Sequence, residues 1–199
     1  PTLIRYAERN DYLVLTREAQ EGHSVRALPG AANAGGAGEI ETRLVTYDSQ
    51  AQTRLVAGLL YHYSGQPYDE VWQRVQAMSP AEQGEVVHAA LKHLGPHDAP
   101  LRELELVDYT FDLLMDYGAY REFKRHRMQT YIPQPLTVHL GYVVPPLLRE
   151  AGLGGVFREA MEASEAAFAG LAALSPRVAQ YVVTHAHRRR VLSKMILRE

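Results

Sequence analysis

Three consecutive cationic side chains, Arg125, His126 and Arg127, are the residues of this sequence whose types and spacing best suit chemistry on a ligand. They stand between a helix-compatible stretch and the segment 128–137, so they occupy a predicted helix-to-strand turn. Guanidinium groups offer forked donors that match phosphate oxygens. The run therefore indicates a site for a phosphate-bearing ligand. The alternative is a solvated helix end, whose positive charge the helix dipole favours.

A second basic run, 185–190, contains two histidines and three arginines. Nucleic acid, a phosphate ligand or plain solvation of a helix surface could each account for it, and solvation is the default expectation. His185 and His187 would share a face if the segment were a strand. No third ligand stands at a recognisable spacing, so no metal site is predicted.

Composition limits the classes of protein to consider. With 199 residues and 46% hydrophobic content, the chain suits one globular domain with a real core. A net charge of −2 gives no reason to expect nucleic acid or an anionic membrane as partner. The chain has no Cys, which excludes disulfides and cysteine nucleophiles, and no apolar run approaches the roughly 20 residues that span a bilayer. The sequence therefore predicts a soluble, cytoplasmic protein.

Hydrophobic spacing predicts the elements that must position these residues. Helices are expected over 49–63 and 68–78, from a capping box at Ser79 to Leu94, and over 157–171. The stretch 117–127 is also compatible with a helix.

Alternating apolar residues predict two strands, 103–115 and 136–144, and the final segment after 176 has a mixed character. Glu103 and Glu105 would share a solvent-facing strand face, with no catalytic role. Helices in a row before two separated strands favour an α+β fold.

The order strand, helix, Arg-His-Arg, strand resembles the flavin-dependent thymidylate synthases, whose signature reads Arg-His-Arg-x-x-Ser-x-Asn-x-x-Ser-x-Arg. The segment 95–100 resembles the family's Gly-His segment, and Tyr109-Thr110-Phe111 resembles its aromatic-Thr-Phe strand. The stretch from Ala179 to Arg198 resembles the family's Ala-Arg-x-x-Leu-Pro segment and the Asn-x-Arg that follows it. The resemblance covers roughly 47–199.

This resemblance implies an antiparallel sheet flanked by helices and a homotetramer whose active sites lie between subunits. It also implies FAD as cofactor, recharged by NADPH, while a one-carbon unit passes from methylene-tetrahydrofolate to dUMP to give dTMP. By the same resemblance, Arg125, His126 and Arg127 are the flavin-binding triplet, and His97 and Arg198 are further flavin contacts. No catalytic residue is assigned.

The substrate side departs from the family pattern. The signature's two Ser, its Asn and its final Arg correspond here to Thr130, Pro135, Ile132 and Thr137. Glu122 stands in place of the family's substrate-contacting Gln, and Pro133 in place of its acidic residue. Gln180 replaces the substrate-gripping Arg, and Ile196 replaces the flavin-region Asn. Losing two arginines and adding Glu122 opposes the binding of a nucleotide monophosphate. The resemblance therefore predicts that the dUMP site is lost.

We predict a single domain over 1–199, in which 1–46 is an extension or linker with a Gly/Ala-rich loop at 27–38. The sequence begins at Pro1 rather than Met, so a fragment of a longer protein is the alternative.

Two functional hypotheses follow. The chain is either a divergent flavoenzyme with an altered substrate, or a non-catalytic domain that keeps the fold for assembly beside an intact catalytic domain.

Overall fold

The computed structural model describes residues 11–28 and 42–198. Contacts divide the chain into two units, 1–36 and 37–199. The first unit contains helix α1 (Asp11–Ala27), none of whose residues is buried. The Gly/Ala-rich loop predicted at 27–38 lies almost entirely outside the described residues.

Three helices follow the first strand of the second unit, and they confirm the helices predicted there. Helix α2 (Ala51–Ser64) ends at Gly65, which has a left-handed φ of 62°. Helix α3 (Tyr68–Ala77) and helix α4 (Pro80–Leu91) come next. The predicted capping box is present, because Ser79 Oγ accepts from the Glu82 N–H and the Glu82 side chain accepts from the Ser79 N–H. These helices share a core of Val56, Ala57, Val71 and Val75.

A four-stranded sheet with the order β1-β2-β4-β3 forms the centre of the second unit. Its strands are β1 (Thr42–Tyr47), β2 (Asp108–Asp116), β3 (Thr130–Pro133) and β4 (Arg188–Ile196). All neighbouring strands are antiparallel. The expected α+β class with an antiparallel sheet is therefore confirmed. The sheet begins inside the stretch 1–46 that we predicted as an extension or linker.

The first predicted strand begins later than expected. Residues Arg102–Leu106 form a 3₁₀ helix, and the strand starts only at Asp108. The reason lies in the spacing of buried residues, since Leu104 and Val107 both pack against Leu55 and stand three positions apart. Glu103 and Glu105 therefore do not share a strand face, contrary to the prediction.

The second predicted strand was wrong in position. The strand that follows the basic turn is Thr130–Pro133, and 136–144 contributes only an isolated bridge between Tyr142 and His187. Pro133 and Pro135 lack the N–H that a continuing ladder needs, so the chain leaves the sheet here. Its apolar residues pack elsewhere, because Val138 is buried against Phe168, Ala179 and Val183.

The segment of mixed character is a central strand rather than a helix surface. β4 pairs with β2 on one side and with β3 on the other. Two of its arginines have partners from other elements: Arg190 pairs with Asp112 of β2 at 3.0 Å, and Arg189 lies 4.6 Å from the ring centroid of Tyr120, in the helix that follows β2. His187 is fully buried. Solvation of a helix surface was therefore the wrong interpretation of 185–190.

The remaining helices lie between these strands in the chain. They are α5 (Tyr117–Phe123), α6 (Pro146–Glu150), the long α7 (Gly154–Ala172) and the short α8 (Pro176–Ala179), and Gln180–Val182 is a 3₁₀ helix. Helix α7 confirms the predicted last long helix. No helix in the described part of the chain is both long and apolar enough to cross a membrane.

Candidate functional site

The basic triplet lies in a tight turn directly after α5. Asp116 caps this helix by accepting from the Ala119 N–H at 2.8 Å. Backbone bonds then close the turn: the Arg125 N–H donates to the Glu122 carbonyl at 3.0 Å, and the His126 N–H donates to the Phe123 carbonyl at 3.2 Å.

Residue Tyr131 of β3 fixes this turn from the other side. Its hydroxyl donates to the Phe123 carbonyl at 3.1 Å and also to the His126 carbonyl. Its ring meets the Phe123 ring edge-on, with 5.6 Å between the centroids. The backbone that carries the triplet is therefore held between α5 and the sheet, while the three side chains are exposed.

The three side chains of the triplet differ in their contacts. Arg125 Nη1 lies 2.6 Å from Glu122 Oε2, and both side chains are about three-quarters exposed, at 73% and 74%. The His126 ring lies 6.2 Å from that of Phe123. Within the described residues, no ion pair or hydrogen bond engages the Arg127 guanidinium. A phosphate could therefore reach Arg127 directly, whereas at Arg125 it competes with a carboxylate.

The register of the strands brings Arg198 to the same end of the sheet as the basic triplet. Thr130 of β3 pairs with Lys194, and Asp108 of β2 pairs with Ile196. The start of β3, which follows the triplet, and the end of β4, which precedes Arg198, therefore lie at one end. We call this the carboxyl end of β4.

Arg198 is tied to the loop that contains His97. Its Nε donates to the Pro100 carbonyl at 3.0 Å, and its Nη1 pairs with Glu105. His97 itself is exposed, in a turn where Asp98 accepts from the Gly95 N–H at 2.8 Å. The structure thus brings the His97 loop and Arg198 together.

Glu105 lies between two guanidinium groups. Hydrogen bonds from Arg102, and then from Arg198, hold the pKa of the Glu105 carboxyl below its usual value. The carboxylate therefore stays charged, and a phosphate at Arg198 would have to compete with it.

An open cleft of about 1280 Å³ lies between the end of α2 and the 3₁₀ helix Arg102–Leu106. Its lining includes Tyr61, His62, Tyr68 and Glu105. A neighbouring hollow of about 500 Å³ shares Tyr68 with it and adds Asp48, Arg54 and Asp108.

Our reading of the sequence missed this cleft. Gly58 lines it and allows the close approach of Leu106, because a Cβ at that position would lie 2.5 Å from Leu106 Cδ1. The Arg102 to Glu105 spacing is a local signal that could have drawn attention to the 3₁₀ helix. The cleft is large enough for a dinucleotide-sized ligand, but its lining does not include the triplet or His97.

The residues on the substrate side are occupied within the chain. Gln180, which stands where the resemblance predicts a substrate-gripping Arg, accepts from the Leu136 N–H at 3.0 Å through its Oε1. The Gln134 carbonyl accepts from Arg189 Nε at 2.9 Å. These two contacts, one from a neutral amide and one from the Arg189 guanidinium, fix the segment 134–136.

Metal chemistry has no candidate centre in residues 11–28 and 42–198, since no group of three or more His, Asp or Glu side chains is arranged to hold an ion there. His185 and His187 do not form one: His185 contacts Arg121, and His187 is buried beside Thr184.

The fold of this chain is similar to that of the flavin-dependent thymidylate synthases. The structure matches that of the flavin-dependent thymidylate synthase ThyX from Helicobacter pylori, complexed with FAD and dUMP, with a TM-score of 0.58 and 13% identity over 80% of each chain. It also matches the UMP/dUMP methylase PolB from Streptomyces cacaoi, bound with 5-Br dUMP, with a TM-score of 0.60 and 11% identity. That match covers 80% of this chain and 74% of PolB.

Sequence relatives are more similar but much longer. A UPF0159 protein from Chlamydia muridarum is 33% identical over 152 residues, which is 75% of this chain and 28% of the relative. UPF0159 proteins from Chlamydia pneumoniae and Thermoplasma acidophilum are 31% and 28% identical, over 73% and 74% of this chain. The chain spans less than a third of the length of each of these relatives. No protein-family model matches it.

Proposed function

We propose that this chain binds FAD at the carboxyl end of β4, within the fold of the flavin-dependent thymidylate synthases, and that it no longer binds dUMP. The observation that carries the proposal is the convergence of two separate basic segments. The register of β3 and β4 brings the turn with Arg125 and Arg127 to the same sheet end as Arg198. These positions are about 70 residues apart in sequence.

The chemistry of the donors fits a flavin nucleotide. The exposed guanidinium of Arg127 can place two N–H groups on a pyrophosphate, and Arg125 can join it once Glu122 turns away. The imidazole of His126 is exposed on the same turn and suits contact with a ring system. A bound flavin would supply hydride transfer, and the residues named here would bind and orient it. His97 and Arg198 are the further contacts we propose.

The proposed loss of the dUMP site is supported by contacts that the corresponding residues make within the chain. Gln180 holds the Leu136 N–H, and Glu122 holds Arg125. A carboxylate next to the phosphate position repels a nucleotide monophosphate. If the chain is an enzyme, we therefore propose a flavin-dependent reaction on a substrate other than dUMP. NADPH and methylene-tetrahydrofolate are co-reactants of the reaction that the resemblance implies.

Substitution of both triplet arginines tests the cofactor site. The double variant Arg125→Ala, Arg127→Ala should lose FAD binding, because the phosphates lose their charged donors, while both side chains are exposed and the fold should remain intact. The measurement is a titration of the colourless protein with FAD, followed by visible absorption and protein fluorescence. Arg74→Ala, an exposed change on α3, is the matched control and should bind as the parent does. Unchanged FAD affinity in the double variant would contradict the assignment.

A second candidate is a non-catalytic domain with a role in assembly. The observation that favours it is the length of the relatives, since this chain spans 28% of the two Chlamydia proteins. We propose that such a domain forms a homo-oligomer, a tetramer by resemblance. Light scattering on the eluting protein would test this. A monomer at all concentrations, or a stable FAD complex without oligomerisation, would argue against an assembly role.

A further inference from the structure

The imidazole of His187 is fully buried at the point where the turn 184–187 enters β4. Its Nδ1 accepts from the Thr184 N–H at 3.2 Å and lies 2.9 Å from Thr184 Oγ1. A ring nitrogen that accepts an amide N–H carries no proton, so in the neutral ring the proton is on Nε2. The hydrogen-bond pattern thus selects one tautomer.

The protonated nitrogen, Nε2, has no hydrogen-bond partner among the described residues. The nearest charged atom is Glu165 Oε1 on α7, 3.8 Å away. The Glu165 side chain is 39% exposed and can move, whereas His187 cannot reach solvent. A buried donor facing a nearby mobile carboxylate is a site with two possible arrangements.

The surroundings of the ring define which other groups act on it. From α7, Glu165 faces Nε2 and the Met161 sulfur contacts the Thr184 hydroxyl. From the 136–144 segment, the Tyr142 ring lies edge-on at 6.0 Å. Arg188 follows His187 in the strand. Glu165 is thus the acidic group that would favour a charged imidazole.

The same turn supports the beginning of α5. The Tyr117 N–H donates to the His187 carbonyl at 2.8 Å, and the Gly118 N–H donates to the His185 carbonyl at 2.9 Å. The Tyr117 ring also meets the His185 ring at 5.4 Å. A movement of the 184–187 turn would therefore change the contacts of the first turn of α5, the helix that precedes the basic triplet.

We propose that His187 is a proton-operated latch that holds the 184–187 turn closed against the start of α5 when its ring is neutral and opens this turn when its ring is protonated. Protonation takes one proton from solvent and places it on Nδ1, which becomes a donor. The Thr184 N–H then faces another donor and loses its bond, while the charged ring is drawn through Nε2–H toward Glu165. The 184–187 turn opens, and with it the support of α5.

The direction of the pH effect follows from burial. Burial lowers the pKa of His187, and Glu165 opposes that shift. In the unfolded chain the pKa is about 6.5. At higher pH the ring is neutral in both states. As pH falls below about 6.5, the unfolded chain takes up a proton that the folded chain does not, so stability falls until the folded pKa is reached. For one such group the folding constant changes by at most about tenfold per pH unit.

Histidine NMR titration of the whole chain, with three variants, tests the latch. In the parent, one imidazole should show the Nε2–H tautomer and titrate below 6.5, and His187→Asn should remove that signal. In Glu165→Gln the same signal should titrate at lower pH still, because the favourable charge is gone. His88→Asn, an exposed change on α4, should leave it unmoved.

Hydrogen exchange at the amides of Tyr117 and Gly118 reports the release itself. Their protection factors should fall in the parent as His187 titrates, and this loss should be absent in His187→Asn, whose amide oxygen can still accept from Thr184 but cannot be charged. If His187→Asn fails to fold, Glu165→Gln provides the test. In that variant the loss of protection at Tyr117 and Gly118 should shift to lower pH together with the titration of His187. An imidazole at 187 that titrates at or above 6.5, or protection that does not follow its titration, would overturn the proposal.

Discussion

At the scale of single residues, the basic turn is neutralised in part by its own helix. Arg125 and Glu122 are three positions apart and form an exposed ion pair. Exposed pairs of this kind stabilise a protein by about 0.2–1 kcal/mol, so an anionic ligand can displace the carboxylate at a small cost. At the proposed FAD site, the pair should therefore affect ligand affinity more than it stabilises the fold.

Replacing that carboxylate should strengthen anion binding. In Glu122→Gln we expect a tighter FAD complex, by about twofold to fivefold, because Arg125 is released and the repulsion of phosphate is removed. The Kd from a fluorescence titration at fixed ionic strength measures it. Glu85→Gln on α4 changes the net charge equally, at an exposed position, and should leave the Kd unchanged. Equal gains in both variants would show a general charge effect and not a local one.

At the scale of elements, the helical part of the second unit depends on correct ends as well as on its core. The capping box of α4 satisfies backbone N–H groups at Ser79 and Glu82 that would otherwise lack partners. Hydrogen bonds from Ser79 lower the pKa of the Glu82 carboxyl, so this carboxylate is charged at neutral pH. The helix start is therefore fixed by local chemistry that the sequence reveals directly.

Removing this cap should weaken the fold by a measurable amount. Ser79→Ala is expected to lower the free energy of unfolding by about 1 kcal/mol, since one orphan amide loses its acceptor. Urea unfolding followed by circular dichroism measures the midpoint. Ser49→Ala, at an exposed position just before α2, should lie within the error of the parent. A loss at Ser49→Ala as large as that at Ser79→Ala would argue against a capping effect.

At the scale of the whole molecule, ligand binding is expected to appear as a change in stability. A ligand that binds only the folded chain raises its melting temperature, by an amount that grows with the ratio of ligand concentration to Kd. The proposed FAD site lies at a sheet end that joins three strands, so its occupation should stabilise the unit as a whole.

Thermal denaturation with each nucleotide separates the two halves of the proposed function. FAD should raise the melting temperature, and dUMP should not, because Glu122 and Gln180 are engaged within the chain. Equal concentrations of inorganic phosphate control for nonspecific anion effects. A clear rise with dUMP alone would contradict the loss of its site.

The fold class and much of the helical part could be predicted because their signals are local. Helices α2, α3, α4 and α7 follow from apolar spacing and from caps, and the triplet was placed correctly between a helix and a strand. The strand pattern was a poorer guide. Alternation over 136–144 reflects packing against α7 and α8, with a single bridge in place of a strand. The charged segment 188–190 is central in the sheet because Asp112 and Tyr120 provide partners from distant positions.

By itself, the sequence determined which residues carry charge and where the helices begin, and it predicted a motif that resembles that of the flavin-dependent synthases without its substrate side. Only the tertiary structure decided that Arg198 meets Glu105, that Gln180 holds the backbone at Leu136, and that His187 is buried beside Thr184. The physical reason is separation along the chain. Local propensities set helices and caps, whereas burial and the partner of a charged group depend on strand register, which forms between segments tens of residues apart.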